Sequence, residues 1–466
     1  MQRGITLLVL LFMITFTKGQ RRITFDKAVL SQKVQQLSGS KDSAVVRRYL
    51  IRTTDLSRMN QLLSSNGLLS AVKQTFIPGK VIMLELPFTR INELFGKTDL
   101  IEFIDARPAP VEETHINGFD RTANGLNLMR VKYPRYNGEG LVVSIKERRF
   151  DTSDIDLKNR IIFSGLEAET MTTHASQMAT MIAGGGNSSD FSLGAAWGAG
   201  VSSSSFETLL PDAIESYVNS KISVQNHSYG TAVENYYGAD AAAYDASVRE
   251  LPYLLHVFSA GNSGDMTPGT GTYTGIAGVA NITGSFKMAK NILTIGATDS
   301  LSKLESRSSR GPAYDGRIKP ELVAYGHDGS SGAAAIVSGI ALTLQQAYKE
   351  KEGKLPDASL VKAVIMNTAD DVGKPGPDFE SGYGAANGLH ALQAVDSGWY
   401  ASGRTTAGED KNHLIRIPAG VAKLKVMLTW SDPEAEANAV KALVNNLDVE
   451  VSNSSSMVFK PWILHT

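Results

Sequence analysis

Short apolar runs alternate with amphipathic segments between residues 45 and 108, where the sequence first shows a regular pattern. This pattern predicts strands and helices in the order β-α-β-β-α-β, which is the order of a compact two-layer unit. The predicted strands cover residues 49–51, 68–76, 81–86 and 101–104, and the predicted helices cover residues 56–63 and 91–95. The pattern gives this unit a fold but assigns it no function.

A second pattern begins near residue 138 and continues to about residue 395. β-Branched runs alternate there with alanine-rich helical windows, which is typical of parallel strands joined by crossover helices. Strands are predicted at 142–145, 254–258 and 292–295, and helices at 176–183, 241–249 and 333–344. We therefore expect an α/β domain, a parallel sheet flanked by helices, with enough residues to bury its own core.

Apolar and polar residues alternate strictly beyond residue 403, most clearly at 424–428 and 447–451. A period of two residues predicts half-buried antiparallel strands, as in a β-sandwich. Only a few such strands fit before residue 466. The domain is therefore either very small or cut short by the end of the sequence. The second interpretation is favoured, and we expect a partial β-sandwich.

The first residues have the pattern of a cleavable secretory signal. Arg3 precedes an apolar run from residue 5 to residue 16, and the small residues Thr17 and Gly19 stand just before Gln20. The run is shorter than the roughly 20 residues that a membrane-spanning helix needs. The chain has no cysteine, and the lack of disulfides favours a bacterial exported protein over an animal secreted one.

Charge points to no particular partner. The chain has 46 basic and 47 acidic residues, and its formal net charge is −1. This balance provides no net field that would attract nucleic acid or a membrane surface. We expect neither as a partner, so the function has to be inferred from the motifs.

A serine-rich turn leads into a helix of small residues at 329–339, and it is the clearest candidate for chemistry. A serine hydroxyl becomes a nucleophile when an imidazole takes its proton, a carboxylate orients that imidazole and donors bind the oxyanion. The start of a helix places backbone N–H groups beside the serine oxygen. A serine that only caps a buried helix would give the same local pattern.

Longer motifs support the catalytic interpretation through a resemblance. Residues 308–324 and 329–339 together resemble the nucleophile region of the subtilisin-like serine proteases, the subtilases. The resemblance implies that Ser331, and not Ser330, is the nucleophile.

The same region also departs from the family pattern. Gly332 replaces a methionine, Ala335 replaces a proline, and the connection from residue 326 to residue 329 is shorter than usual. These departures affect the rim of the expected substrate cleft more than the nucleophile itself.

Two further segments supply a base and an oxyanion donor. His174 opens a helix at 174–184 that resembles the family's His-Gly-Thr-His-Val-Ala-Gly helix, which implies that His174 is the general base. Asn262 lies in a glycine-rich turn after a strand and resembles the oxyanion asparagine of the family. Taken alone, either residue has a simpler interpretation, as a capping histidine or a turn asparagine.

The acid that orients the histidine differs from the family. The strand at 141–145 resembles the family's first catalytic strand, which ends in an aspartate, and an ungapped match places Glu147 at that position. Asp151 is the competing candidate, but the register of the strand favours Glu147. If neither carboxylate orients His174, the enzyme is slow or inactive, since losing this acid costs a serine protease about 10⁴ in kcat.

Other segments extend the resemblance over residues 138–395. Ser228, Tyr229 and Gly230 resemble the strand edge that binds an extended substrate backbone, a form of β-augmentation. The resemblance implies that the N-terminal unit is an inhibitory propeptide that the enzyme removes. The sequence does not fix the position of the cut, and the acidic loop at 109–117 is a candidate for it.

The expected organisation has four parts. They are a signal peptide at 1–19, a propeptide-like α+β domain at 20–115, a subtilisin-like catalytic domain at 116–400 and a partial β-sandwich at 401–466. The catalytic chemistry needs no cofactor. Oxygen-rich loops at 430–433 and 445–448 are candidates for structural calcium, although ordinary turns have the same composition.

These observations predict a secreted or cell-envelope serine endopeptidase that forms an acyl-enzyme on Ser331 and acts on protein or peptide substrates. The alternative is a catalytically impaired subtilase fold that binds peptides or partners, because Glu147 and the flanks of His174 and Ser331 depart from the family. A third interpretation is a structural, β-rich surface protein carried by the C-terminal strands.

Overall fold

The computed structural model describes residues 29–30, 34, 37, 44–77, 80–94, 99–107, 120–207, 209–269 and 271–464. The chain divides into two compact units, Met1–Ile116 and Asn117–Thr466. The predicted signal peptide and the expected propeptide cleavage region at 109–117 lie outside the described residues. Within the described part of the chain, no helix is both long and apolar enough to cross a membrane.

The N-terminal unit contains a five-stranded sheet in the order β1-β5-β2-β4-β3, antiparallel except for the β1–β5 pair. Its elements are β1 Val29–Leu30, β2 Val46–Thr53, α1 Leu56–Ser65, β3 Val72–Phe76, β4 Val81–Pro87, α2 Phe88–Ile91 and β5 Ile101–Arg107. The predicted β-α-β-β-α-β order is confirmed from β2 to β5. Two boundaries differ, because 3₁₀ turns at Leu69–Ala71 and Asn92–Leu94 replace the start of β3 and the end of the second predicted helix.

Alternating burial shows why these residues form a two-layer unit. In β4 the side chains of Ile82, Leu84 and Leu86 are buried while their neighbours are only partly so. Helix α1 contributes Met59 and Leu63 to the same core. Period two in the strand and period four in the helix therefore place all five side chains in one apolar layer.

The second unit contains the predicted parallel sheet. Its strands are β6 Val142–Glu147, β7 Gly200–Ser205, β8 Ile222–His227, β9 Leu255–Ser259, β10 Leu293–Thr298 and β11 Leu322–Tyr325. Its helices are α3 Leu126–Lys132, α4 Thr173–Ala183, α5 Ile214–Asn219, α6 Ala239–Glu250, α7 Ser330–Glu352, α8 Ala358–Asn367 and α9 Gly388–Ser397. The six strands are parallel and lie in the order β11-β10-β9-β8-β6-β7, so the expected α/β fold class is confirmed.

Helices cover the sheet and explain its apolar sequence. Every residue of β6, β8, β9 and β10 is buried, as expected for parallel strands that are covered on both faces. Helix α7 is buried from residue 330 to residue 348 and packs against five strands and against α4. Small residues along α7, such as Ala334 and Gly339, allow this close approach.

The strand order predicts a crevice at the carboxyl ends of β6 and β8. The chain passes from β6 to β7 on one side and then crosses to β8 on the other side of β6. In open parallel sheets, ligands bind at the carboxyl ends of the strands where the strand order reverses in this way. The residues that follow β6 and β8 are therefore at the expected position for a site.

Lys146, the residue before Glu147 in β6, has a buried partner. Its ammonium is fully buried and forms an ion pair with Asp212, and it also donates to Ser204. Asp212 accepts two more hydrogen bonds, from Ser204 Oγ at 2.8 Å and from Gln225 Nε2 at 2.7 Å. The pair links β6, β7 and β8 below the crevice.

The C-terminal segment forms little regular structure. Between residues 401 and 464 the described strands are β12 Val451–Ser452 and β13 Val458–Phe459, which pair antiparallel. The segment 424–428, predicted as a strand, joins no sheet there, and Leu424 is 44% exposed. A half-buried strand needs a covering layer, and this segment supplies none. The partial β-sandwich stays a prediction.

Replacing Lys146 with methionine should lower the free energy of unfolding by about 3–5 kcal/mol, because Asp212 is left buried without a counter-charge. Adding Asp212→Asn to this variant should recover part of the loss. Lys374→Met is the control, since its ion pair with Glu380 is exposed and should contribute less than about 1 kcal/mol. Urea unfolding of the four proteins measures these differences, and equal losses in the two single variants would contradict the interpretation.

Candidate active site

The carboxyl edge of the parallel sheet brings together the residues singled out by the sequence. Glu147 is the last residue of β6, and Ser228 directly follows β8. Asn262 lies three residues after the end of β9, and Ser331 lies in the first turn of α7. His174 is the second residue of α4, whose start is capped by the Thr172 hydroxyl accepting from Ala175 N. 

His174 contacts Glu147. The distance from His174 Nδ1 to Glu147 Oε2 is 3.2 Å, within hydrogen-bonding range. A carboxylate accepts a proton and cannot donate one when ionised, so Nδ1 carries the hydrogen. This contact fixes the tautomer of the neutral ring and leaves the lone pair of Nε2 free to act as a base.

Burial and the hydrogen bond between them shift the pKa values of Glu147 and His174. Glu147 is 4% exposed, and this desolvation raises the pKa of its carboxyl, an effect that the hydrogen bond from His174 opposes. The same hydrogen bond raises the pKa of His174, while partial burial of the ring opposes it. The second oxygen, Oε1, has no hydrogen-bond partner among the described residues. The orientation of the carboxylate therefore depends on the imidazole.

Asp151, the competing acid, points elsewhere. Its carboxylate accepts hydrogen bonds from the N–H and the hydroxyl of Ser153 at 2.8 and 2.7 Å. Its backbone N–H donates to Ser176 Oγ, so it lies near α4, but it forms no contact with the His174 ring among the described interactions. Of the two carboxylates, the structure brings only Glu147 to the imidazole.

Ser331 is held against the end of β8. Its Oγ lies 3.4 Å from the carbonyl oxygen of Ser228, and the Ser228 hydroxyl donates to the carbonyl oxygen of Ser331 at 2.9 Å. Asn226 Nδ2 in turn donates to Ser228 Oγ at 2.9 Å. These bonds fix the first turn of α7 relative to the strand. Within the described part of the chain, no hydrogen bond joins Ser331 Oγ to His174.

Asn262 is oriented by Ser330. Its Oδ1 accepts from Ser330 N at 3.1 Å and from Ser330 Oγ at 2.9 Å. A backbone N–H only donates, so the amide oxygen must face Ser330 and Nδ2 points the other way. Gly329 permits this approach, since a Cβ there would lie 2.8 Å from Asn262 Oδ1. The amide nitrogen Nδ2 is therefore the atom of this side chain that is left to donate a hydrogen bond.

The expected substrate edge is partly accessible. Ser228 is buried, whereas Gly230 is exposed, and neither belongs to a strand in the structure. The Tyr229 ring packs edge-on against Phe206, with ring centroids 5.2 Å apart. Tyr229 thus anchors this segment to the interior, and its neighbours carry the backbone that an extended peptide would meet.

Asp328 was not anticipated from the sequence. Its Oδ2 lies 3.4 Å from His174 Nε2, on the opposite side of the ring from Glu147, and its charge also raises the pKa of His174. Asp328 adopts a left-handed backbone conformation with φ of 73°. The only sequence signal is an acidic residue in the shortened connection three positions before Ser331, and its contact depends on the path of that loop.

The calcium candidates at the C-terminal loops have other partners. Asp432 is buried and its carboxylate accepts from Lys290 Nζ at 2.7 Å, Val444 N at 2.9 Å and Asn445 N at 2.8 Å. The ammonium of Lys290 thus supplies the positive charge beside this carboxylate. Among the described residues, no group of three or more His, Cys, Asp or Glu side chains is arranged to hold a metal ion. Structural calcium at these loops stays a prediction.

Comparison with known proteins decides the family. A sequence profile described as the subtilase family, Peptidase_S8, matches residues 138–384, more than half of the chain. The chain belongs to the subtilase family. The match covers β6 to β11 and all four segments that carry Glu147, His174, Asn262 and Ser331, so it establishes a serine-protease domain whose family acts on peptide bonds.

Individual relatives of this subtilase are distant. A serine protease/ABC transporter B family protein, tagA, from Dictyostelium discoideum is 26% identical over 30% of this chain, and the match spans 11% of that protein's length. The prenylagaramide maturation protease PagA is 22% identical, with a TM-score of 0.46 over 58% of this chain and 98% of its own. Fervidolysin from Fervidobacterium pennivorans, a keratinolytic enzyme, is 16% identical, with a TM-score of 0.43 over 79% of this chain and 63% of its own.

Two departures of this subtilase from the family pattern have one structural cause. The short connection before Ser331 runs directly against the first turn of α7. A Cβ on Gly332 would overlap the carbonyl oxygen of His327, and a Cβ on Gly326 would overlap the backbone of Gly332. A methionine at position 332 therefore does not fit below the shortened loop, so loss of the methionine and shortening of the loop belong together.

Replacing Gly332 with alanine should destabilise this subtilase by about 3 kcal/mol, because the new methyl group overlaps backbone atoms that cannot rotate away. Gly403→Ala is the matched control, since nothing lies within 4 Å of a Cβ at that position. Thermal or urea unfolding measures both. Equal midpoints for the two variants would show that the loop can move aside.

The pH dependence of Ser331 reactivity should shift in the Asp328→Asn variant. The base must be neutral, so reactivity appears as pH rises through the pKa of His174, which Asp328 raises. Removing this charge should move the acid limb to lower pH, by up to about one unit because Asp328 is partly solvent-screened. Labelling rates with a fluorophosphonate, recorded against pH, give the midpoint of this acid limb. Asp151→Asn is the control. A limb that is unmoved, or moved to higher pH, would contradict the assignment.

Proposed function

We propose that this subtilase is a secreted serine endopeptidase that cleaves proteins or peptides through an acyl-enzyme on Ser331. The observation that carries the proposal is the buried contact between Glu147 and His174 Nδ1, at 3.2 Å. It gives the imidazole the tautomer that a general base requires. Ser331 and the Asn262 amide lie at the same carboxyl edge of the parallel sheet. The proposed nucleophile, base and oxyanion donor therefore share one crevice.

In the proposed reaction, His174 Nε2 takes the proton of Ser331 Oγ as the oxygen attacks the substrate carbonyl. The Asn262 Nδ2 donates to the oxyanion that forms, and its orientation is set in advance by Ser330. The proton on His174 then passes to the leaving amine, and water hydrolyses the acyl-enzyme by the reverse sequence. For the first step, the ring must turn from Asp328 toward Ser331, since catalytic hydrogen bonds often form only in the complex with substrate.

We further propose that residues 20–115 act as an inhibitory propeptide and that residues 1–19 are a signal for secretion. The compact, separately packed N-terminal unit supports the first proposal. The charged n-region and short apolar run support the second. If self-cleavage releases the N-terminal unit, it should depend on Ser331, and N-terminal sequencing of the secreted protein would locate the cut.

A fluorophosphonate should label Ser331 of the wild type and should fail to label Ser331→Ala. Glu147→Gln should lower kcat by roughly 10³–10⁴-fold, because a neutral amide does not hold the required tautomer or stabilise the imidazolium. Asp151→Asn, the matched control, should change kcat little. Peptide hydrolysis and labelling rates measure both variants.

Two outcomes would change the proposal in different ways. The reverse ranking of the two variants would move the orienting role to Asp151. A wild-type protein that is folded and free of its N-terminal unit but is not labelled would favour a catalytically impaired subtilase fold that binds peptides.

A further inference from the structure

Two buried histidines on neighbouring strands of the parallel sheet take no part in the proposed chemistry. His227 is the last residue of β8 and His256 lies in β9, and both are completely buried. His227 Nε2 lies 3.0 Å from His256 Nδ1. The other nitrogens also have partners, since His256 Nε2 lies 3.1 Å from Ser247 Oγ and His227 Nδ1 lies 3.2 Å from Tyr229 Oη. These contacts form one continuous chain from α6 to the segment after β8.

Both rings of this chain are neutral. Burial lowers the pKa of His227 well below its usual value and lowers the pKa of His256 to about 3. A neutral imidazole has one N–H donor and one bare nitrogen that accepts. Each ring must therefore donate at one end and accept at the other, so the direction of one bond determines the direction of all.

Ser247 sets this direction. Its hydroxyl donates to the carbonyl oxygen of Tyr244 at 2.8 Å, and this bond uses its single hydrogen because a carbonyl oxygen only accepts. Ser247 Oγ must then accept from His256 Nε2. It follows that His256 Nδ1 accepts from His227 Nε2. The remaining bond runs from the Tyr229 hydroxyl to His227 Nδ1.

The other end of the chain favours the same direction. Tyr229 Oη lies 3.4 Å from Tyr244 Oη, so it can accept from Tyr244 while it donates to His227. In the opposite direction, the Tyr244 hydroxyl would have no acceptor among the described interactions, although this residue is completely buried. A buried donor without an acceptor destabilises the fold. Both ends therefore require the same arrangement of hydrogens.

The chain ends on the segment that holds the proposed nucleophile. Tyr229 follows Ser228, whose hydroxyl donates to the carbonyl oxygen of Ser331 at 2.9 Å. The ring of His227 stacks on Phe258, with ring centroids 3.9 Å apart and planes 11° apart. Because this stacking holds the imidazole, the place of its Nδ1 is set by the sheet. The hydrogen bond to Nδ1 therefore ties the Tyr229 side chain to the sheet.

We propose that His227 and His256 are positioning residues, which hold Tyr229 through this directed chain and so fix residues 228–230 for binding of an extended substrate peptide. Each of the two rings carries its hydrogen on Nε2, whereas His174 carries it on Nδ1. This inference rests on the proposed protease function and adds to it the groups that hold the substrate edge in place.

Long-range ¹⁵N–¹H NMR spectra of the histidine side chains test the chain directly. Near neutral pH, the wild type should show both rings as neutral Nε2–H tautomers. The two sets of signals are assigned by their loss in His227→Asn and in His256→Gln. An Nδ1–H tautomer or a doubly protonated ring at either position would overturn the chain.

Peptide binding tests the positioning role. The probe is a fluorescein-labelled peptide that the wild type cleaves, and its Kd is measured by anisotropy in a Ser331→Ala background. Adding Tyr229→Phe removes one hydrogen bond and should raise the Kd about fivefold. Adding Tyr236→Phe is the control and should not change the Kd, since Tyr236 is 41% exposed. His227→Asn keeps an acceptor near the place of Nδ1 and should weaken binding less than His227→Leu.

Labelling of Ser331 by a fluorophosphonate decides the protease function separately. If Ser331 is labelled but Tyr229→Phe leaves the Kd unchanged, the positioning role is wrong and the protease function stands. A wild type that is neither labelled nor able to cleave peptides would overturn the protease function and the substrate role of residues 228–230. The ring tautomers would then still decide whether the chain has the direction inferred from Ser247.

Discussion

The active site depends on one buried contact, between the carboxylate at the end of β6 and the first turn of α4. Glu147 has a single hydrogen-bonding partner for its buried carboxylate, His174, and its other oxygen has none within the described residues. A buried carboxylate without other partners makes this contact obligatory, because breaking it would leave a charge unsolvated. The packing of α4 against α7 therefore determines where the imidazole lies relative to Ser331.

The rest of the crevice is arranged around this contact, although His174 is not yet hydrogen-bonded to Ser331 Oγ in the described part of the chain. Asn262 is already turned by Ser330, and Ser331 is already fixed against Ser228. The imidazole lies between two carboxylates, Glu147 and Asp328, which together favour its protonated form. The Asn262 amide is thus oriented although His174 and Ser331 form no hydrogen bond among the described residues, and the charge of Asp328 raises the pKa of the imidazole.

Local patterns in the sequence predicted the α/β fold class and several of its strands and helices. Runs of β-branched residues predicted β6, β9 and β10, and small-residue periodicity predicted α4, α6 and α7. The family resemblance also placed Glu147 at the position of the orienting acid, because an ungapped match joins the strand at 141–145 to residues 154–157. These inferences depend on neighbours along the chain.

Contacts between distant segments were beyond sequence reasoning. Lys146 pairs with a residue 66 positions away, and its role as the buried partner of Asp212 has no local signal. Asp328 reaches His174 because a shortened loop crosses the first turn of α7. The C-terminal alternation predicted a strand at 424–428, but a strand also needs a partner and a covering layer, which local pattern does not supply.

The most direct test of the Glu147–His174 contact is a proton NMR spectrum of the imidazole region at a pH where His174 is charged. A hydrogen shared between His174 Nδ1 and a buried carboxylate should resonate far downfield of the backbone amides. The signal should vanish in His174→Ala and Glu147→Gln and persist in Asp151→Asn. A signal that survives Glu147→Gln, or that is lost in Asp151→Asn, would contradict the account.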